Sequence, residues 1–327
     1  MELDVFSNAS DASLPTNCNR VDLVDQFMYP TAYSVFFIIG FPANCLSFYV
    51  AYQLMQKGNT VAVYLVNLSV SDLLYTITLP VWIELALRRP VDSTLCSLIT
   101  LIMYNSFYVG SGLLCCISVD RYLAVFYPLH FLWVRELRTA TLVSAVVWVA
   151  ELVVHASLMA HSGALESFSA LRLCEERMPM CPADASVAIV RAALGFLLPL
   201  FLMIFCFYQI MRALNNSASL ENDERRKIRN LLLLLLITYM VAFTPYQLVM
   251  VLRAVLEVGN CDYAHRLRDY HMVFVATTTI NSVADPIIYC LLSQSAKTEL
   301  KAMLRSGRVT LRKLQTSTRD SSNASDA

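Results

Sequence analysis

Charge is what this chain has least of. Only 15% of its 327 residues are Asp, Glu, Lys or Arg, against about a quarter in soluble domains. A water-soluble globular fold needs more polar cover than that, so that class is excluded first. The sequence has no internal repeat and no matched pair of interrupted spans, which argues against a transporter. It has no run of His, Cys, Asp or Glu at metal-ligand spacing, no nucleophile motif and no phosphate-cradling loop. Those absences argue against an enzyme and against any bound metal centre. Nothing supports nucleic-acid binding. Residues 1–29 are polar and carry no signal-peptide pattern, so the first apolar span is expected to act as the insertion signal.

What is present is apolar sequence. Hydrophobic residues make up 57% of the chain and the mean hydropathy is +0.54. Seven stretches are long enough to cross a bilayer, at roughly 30–54, 61–87, 96–127, 138–160, 185–213, 229–256 and 270–292. This predicts an all-α membrane protein, a seven-helix transmembrane bundle. An extracellular segment 1–29 precedes the membrane domain 30–292, and a cytoplasmic tail 293–327 follows it. With the N-terminus outside, 16 of the 25 Lys and Arg fall on the cytoplasmic side, as the positive-inside rule requires. The sequon at Asn8 would then face the lumen and is the expected glycosylation site. Those at Asn67, Asn215 and Asn323 would be buried or cytoplasmic. Five cysteines, Cys45, Cys115, Cys116, Cys206 and Cys290, lie in spans and act as small apolar residues. Another five, Cys18, Cys96, Cys174, Cys181 and Cys261, lie outside, where disulfides persist and an odd one is left over.

Each span carries a distinctive residue. The first has Asn44 in GFPANCLS and the second Asp72 in NLSVSDLLY. CISVDRYLAVFYPL closes the third, with Asp120, Arg121 and Tyr122. Trp148 lies in the fourth, Pro199 in the fifth, Phe243 and Pro245 in the sixth. The seventh ends in DPIIY, with Asp285, Pro286 and Tyr289. Together these resemble the class A (rhodopsin-like) G-protein-coupled receptors along nearly the whole chain. LLCCISVDRYLAV, WVAELV and VADPIIYC narrow the resemblance to the proton-sensing group, the ovarian-cancer receptor and psychosine receptor with their relatives.

The resemblance implies a receptor activated by extracellular protons at the plasma membrane, signalling through a heterotrimeric G protein. Asp120, Arg121, Tyr122, Phe243, Pro245 and Tyr289 would form its activation switch. It also implies a bridge from Cys96 to Cys174 or Cys181. The run CEERMP favours Cys174, which leaves Cys18 to join Cys261. No cofactor is expected beyond a sodium ion, with Asp72, Asn281, Ser282 and Asp285 as its candidate ligands.

Three acids lie deep in spans: Asp72, Glu151 and Asp285. An ionised carboxylate in hydrocarbon is costly. The sequence places no Lys or Arg at the same depth, so each is expected to take a proton or hold a cation. By resemblance they match the buried acidic triad of the proton-sensing group. His161, His271 and Glu176 are the outer sensor candidates. His265 reads as a solvated residue of the third extracellular loop. Gln247, Arg88 and Arg89 stand where that group often has histidine.

The alternative is a receptor for a lysolipid or another anionic small molecule. Arg191 and Arg253, with Trp82, Tyr104 and Tyr246, would line its upper pocket. On the inner side, SAKTELKAML after the seventh span reads as a short amphipathic helix. Ser317, Thr318, Ser321 and Ser322 are candidates for phosphorylation and arrestin recruitment.

Overall fold

The computed structural model describes residues 23–87, 89–127, 136–162, 179–216, 222–292, 296–299 and 301. Asn8, Cys18, Cys174 and Glu176 lie outside them. The helices are α1 (Leu23–Gln56), α2 (Thr60–Ala86), α3 (Ser93–Phe126), α4 (Leu137–His161) and α5 (Pro182–Val190). A π-helical stretch (Arg191–Leu197) leads from α5 into α6 (Leu198–Asn216), and α7 (Asn222–Leu256) and α8 (Cys261–Leu292) follow. The segment from α5 through α6 is one continuous span, so among the described residues seven helices are long and apolar enough to cross a membrane.

Local chemistry sets the ends of these helices. Between α1 and α2 the turn needs Gly58, at φ +84°, a conformation that costs glycine little. Asn59 then caps α2, its side chain accepting from the Ala62 N–H. Asp92 caps α3 through the Leu95 N–H at 3.0 Å. Asn260 follows Gly259, itself at φ +72°, and its Oδ1 accepts from Asp262 and Tyr263. That cap starts the seventh helix at Cys261, well ahead of the position 270 expected from hydropathy. The extra turns are polar, so an apolar-run criterion cannot see them. His265 therefore lies on a helix and is half-buried, not in a solvated loop.

Within the bundle, α1 packs along α2 and α8, α7 along α8, and α3 sits between α2, α4 and the fifth span. The core centres on α3, where Val109, Leu113 and Leu114 are fully enclosed. The fourth helix is almost all periphery: Leu142, Val146, Val149 and Val153 face outward, as expected where lipid is the solvent.

The π stretch ends just before Pro199, whose missing N–H cannot bond back to Gly195. The Gly195 carbonyl instead accepts from Ser111 Oγ at 3.2 Å, and Ser111 shares a 2.6 Å bond with Tyr239 Oη. A Cβ on Gly195 would stand 2.5 Å from the Tyr108 ring, so only glycine lets Tyr108 lie against this span. After the seventh span, Ala296 is buried and Glu299 pairs with Lys57. That pair ties the short helical segment after the seventh span to the end of α1.

Candidate functional site

The polar centre of the bundle is built by periodicity. In α2, Leu65, Leu68, Ser69, Asp72, Thr76 and Leu79 are buried at helical spacing, so Asp72 points inward. In α8, Thr278, Ser282, Asp285 and Tyr289 are buried at the same repeat. Asp72 is 4% exposed and Asp285 3%. Ser282 hydrogen-bonds the Asp72 carboxylate, and Asn281 Nδ2 donates to Asp285 Oδ2 at 2.7 Å. From α1, Asn44 Nδ2 donates to the Ser282 carbonyl at 2.8 Å, which ties the first span to the seventh. Four buried oxygens still lack a hydrogen-bond partner: Asp72 Oδ2, Asp285 Oδ1, Asn281 Oδ1 and Asn44 Oδ1. No Lys, Arg or His among the described residues pairs with either acid. Unspent carboxylate and carboxamide oxygens suit a hard cation such as sodium, and the carboxylates equally suit a proton.

Glu151 is not in this cluster. Its Oε2 lies 3.0 Å from Arg191 Nη1, which corrects the expectation that no basic group reaches it. Arg191 enters where the π stretch begins, and it is 8% exposed. Its Nη2 donates to His155 Nδ1 at 2.9 Å. An arginine can only donate, so His155 is neutral and accepts at Nδ1. The guanidinium also lies 4.1 Å from the centre of the Tyr108 ring, a cation–π geometry. The sequence pointed to Glu151 and Arg191 separately, but not to their union or to His155.

At the outer mouth, Arg253 is likewise held. It binds the carboxylate of Glu257, a residue with no exposed surface. Both arginines of the expected anion pocket are therefore spent on acids. The pocket residues separate further. Tyr104 and Tyr246 line a narrow slot of about 20 Å³ with Tyr75, Met103, Phe107 and Tyr108, whereas Trp82 packs in a neighbouring cluster with Tyr29 and Tyr33.

Among the described residues no acid pairs with His161 or His271. His161 is solvent-facing and its Nε2 sits 3.1 Å from Ser186 Oγ. His271 is within the seventh span, its ring 5.8 Å from Tyr246. The charges that face it belong to Arg253 and Arg268. Cys96 and Cys261 are both disulfide-bonded, and Cys181 is a free thiol.

At the far end of the third span Asp120 holds Arg121 at 3.2 Å, with the carboxylate buried and the guanidinium about one-third exposed. Tyr122 lies among Phe126, Tyr127 and Phe205. Phe243 packs edge-on against Phe107 at 4.6 Å and Tyr239 at 4.7 Å, two residues ahead of the Pro245 break. Tyr289 is buried at the inner end of the seventh span.

Seven membrane helices, a paired Asp-Arg at the inner end of the third and a proline just above an aromatic cluster define a seven-span signalling receptor. The chain belongs to the rhodopsin family of seven-transmembrane receptors, whose model matches residues 43–289. It is 33% identical to G-protein coupled receptor 68 of Bos taurus over 90% of this chain and 82% of that one. It is 30% identical to G-protein coupled receptor 65 of Homo sapiens, over 86% and 88%. With lysophosphatidic acid receptor 6 of Gallus gallus it shares 27%, over 86% and 94%. It is a class A receptor of the proton-sensing and lysolipid group, a multi-pass membrane protein that couples to G proteins, and not an enzyme.

Proposed function

We propose that extracellular protons activate this receptor at the plasma membrane, with the N-terminus outside. The observation that carries the reading is the Asp72–Asp285 pair: two buried carboxylates side by side, with unspent oxygens and no basic partner among the described residues. Like charges at close range in a dry site repel strongly. A sodium ion held by Asp72, Asn281, Ser282 and Asp285 offsets that repulsion when both acids are charged. A proton does the same and makes the ion unnecessary, so protonation expels sodium and lets the second and seventh spans close. Asp120, Arg121, Tyr122, Phe243, Pro245 and Tyr289 pass that change to the G protein, and arrestin binds once the tail is phosphorylated.

Glu151 takes a different role from the one its depth suggested. Paired with Arg191, it anchors the fourth span to the fifth, and the inner sensing set is Asp72 and Asp285. His161 and His271 are auxiliary. The bridges Cys96–Cys174 and Cys18–Cys261 and a glycan on Asn8 complete the outer face.

A lysolipid receptor is the second reading, favoured by the aromatic slot at Tyr104 and Tyr246 and by the name of one relative. Against it, the two arginines expected to take an anionic head group are already paired, Arg191 with Glu151 and Arg253 with Glu257.

The two readings separate in one experiment. Cells carrying the receptor at verified surface levels are followed for cyclic AMP and inositol phosphate as the medium is acidified from about pH 8 to about pH 6, around the histidine range. Lysophosphatidic acid is added separately at fixed pH. A sigmoidal acid response without lipid supports proton activation. A flat acid response with a lipid response sinks it.

A further inference from the structure

Met180, at the threshold of the fifth span, is held by a side chain in the turn that follows α7 (Asn222–Leu256). Its N–H donates to Glu257 Oε1 at 3.0 Å. The same carboxylate takes two bonds from Arg253 one turn back, Nε to Oε2 and Nη2 to Oε1, the latter at 3.0 Å. Three donors thus satisfy a fully buried carboxylate that would otherwise be expensive to enclose. Met180, Ala185 and Ala188 pack around it against Met250, Ala254 and Val258.

The attachment point is mechanically well placed. Glu257 lies three turns beyond Pro245 on the outer side, about 18 Å along the helix axis, and Phe243 lies just across the break on the inner side. Arg253 also faces His271. His271 lies 5.8 Å from Tyr246, Tyr246 6.0 Å from Phe107, and Phe107 4.6 Å from Phe243. An unbroken series of packed groups therefore runs from Met180 to the aromatic cluster beneath the proline.

We propose that Glu257 and Arg253 form an outer latch. It fastens the chain ahead of the fifth span to the outer arm of the sixth helix and holds the receptor in its low-signalling state. This restraint acts on the helix, whatever ligand the receptor answers to. Release frees the arm beyond Pro245 and unloads the contact between Phe107 and Phe243.

Cys181 supplies a reporter. It is a free thiol next to Met180, capping α5 through Asp184. Intact cells kept at about pH 8, a pH at which the acid switch is off by the reading above, are labelled with a membrane-impermeant maleimide, with Cys181→Ala as the blank. Glu257→Gln keeps the size and an acceptor for Met180 but removes the charge that holds Arg253. At matched surface levels it is expected to raise basal signalling several-fold and to label Cys181 several-fold faster. The reversed pair, Arg253→Glu with Glu257→Arg, is expected to move both readouts back toward wild type. If Glu257→Gln does not reach the surface, Arg253→Lys decides, since lysine keeps the charge but loses the two-pronged grip. Wild-type basal signalling and labelling rates in the variant that reaches the surface would overturn the latch. Because no acid is applied, failure of proton activation would leave this result standing on its own.

Discussion

The guanidinium of Arg191 reaches across from the fifth span to the Glu151 carboxylate of the fourth, 3.0 Å away, and rests on Tyr108 while it does so. An acid that looked isolated in the membrane is one half of an ion pair. The fourth helix packs mainly against α2 and α3, where Trp148 Nε1 donates to Asn67 Oδ1 at 3.1 Å, and this ion pair is its polar link to the fifth span.

Breaking the pair from one side should therefore cost more than removing both halves. Arg191→Gln leaves the partly buried Glu151 carboxylate without its cation and is expected to lose about 1–3 kcal/mol, the usual cost of an unsatisfied polar group. Glu151→Gln is milder, because Arg191 keeps His155 and Tyr108. The double variant should recover much of the loss. Thermal unfolding of the purified receptor in detergent checks this, and equal losses for Arg191→Gln and the double variant would contradict it.

Gly195→Ala places a methyl 2.5 Å from the Tyr108 ring. The ring must move, and with it the support under Arg191. Overpacking of this kind costs roughly 1–3 kcal/mol. The melting temperature should fall, and it should fall less in a Tyr108→Leu background. A Gly195→Ala receptor with unchanged stability would show that the π stretch adjusts freely.

The sodium assignment predicts competition. At a fixed acid pH, raising sodium in place of an inert organic cation should reduce signalling and move the response midpoint to lower pH. Asp72→Asn and Asp285→Asn should each abolish that sodium dependence. Dependence that survives both variants would place the cation elsewhere.

At the inner face Asp120 lies 3.2 Å from Arg121, and on the proposed reading that pair holds Arg121 away from a partner. Asp120→Asn is expected to raise basal signalling at alkaline pH while leaving the acid midpoint close to wild type. A fall in basal signalling would remove Asp120 from the switch.

The fold was readable because each span is a long apolar run with its own marker residue, and the inward face of the second and seventh spans follows from helical spacing. What escaped was contact between distant segments at matching depth. Arg191 lies forty positions from Glu151, and the π stretch beside it alters the register of the fifth span, so hydropathy placed it near the mouth. Glu257 was missed because it falls just past the apolar run, although Arg253 four residues earlier is the spacing of a helical ion pair. His265 was misplaced because a capped polar helix start carries no hydropathy signal.

The acid pair itself can be tested most directly by titrating signalling against pH in Asp72→Asn with Asp285→Asn, beside wild type and His161→Phe with His271→Phe, all at matched surface expression. Asparagine mimics the protonated acid. The acid-pair variant should signal strongly at alkaline pH and hardly change on acidification, while the histidine variant keeps a sigmoidal response with a shifted midpoint. An acid-pair variant with the wild-type midpoint and amplitude would contradict proton sensing at Asp72 and Asp285.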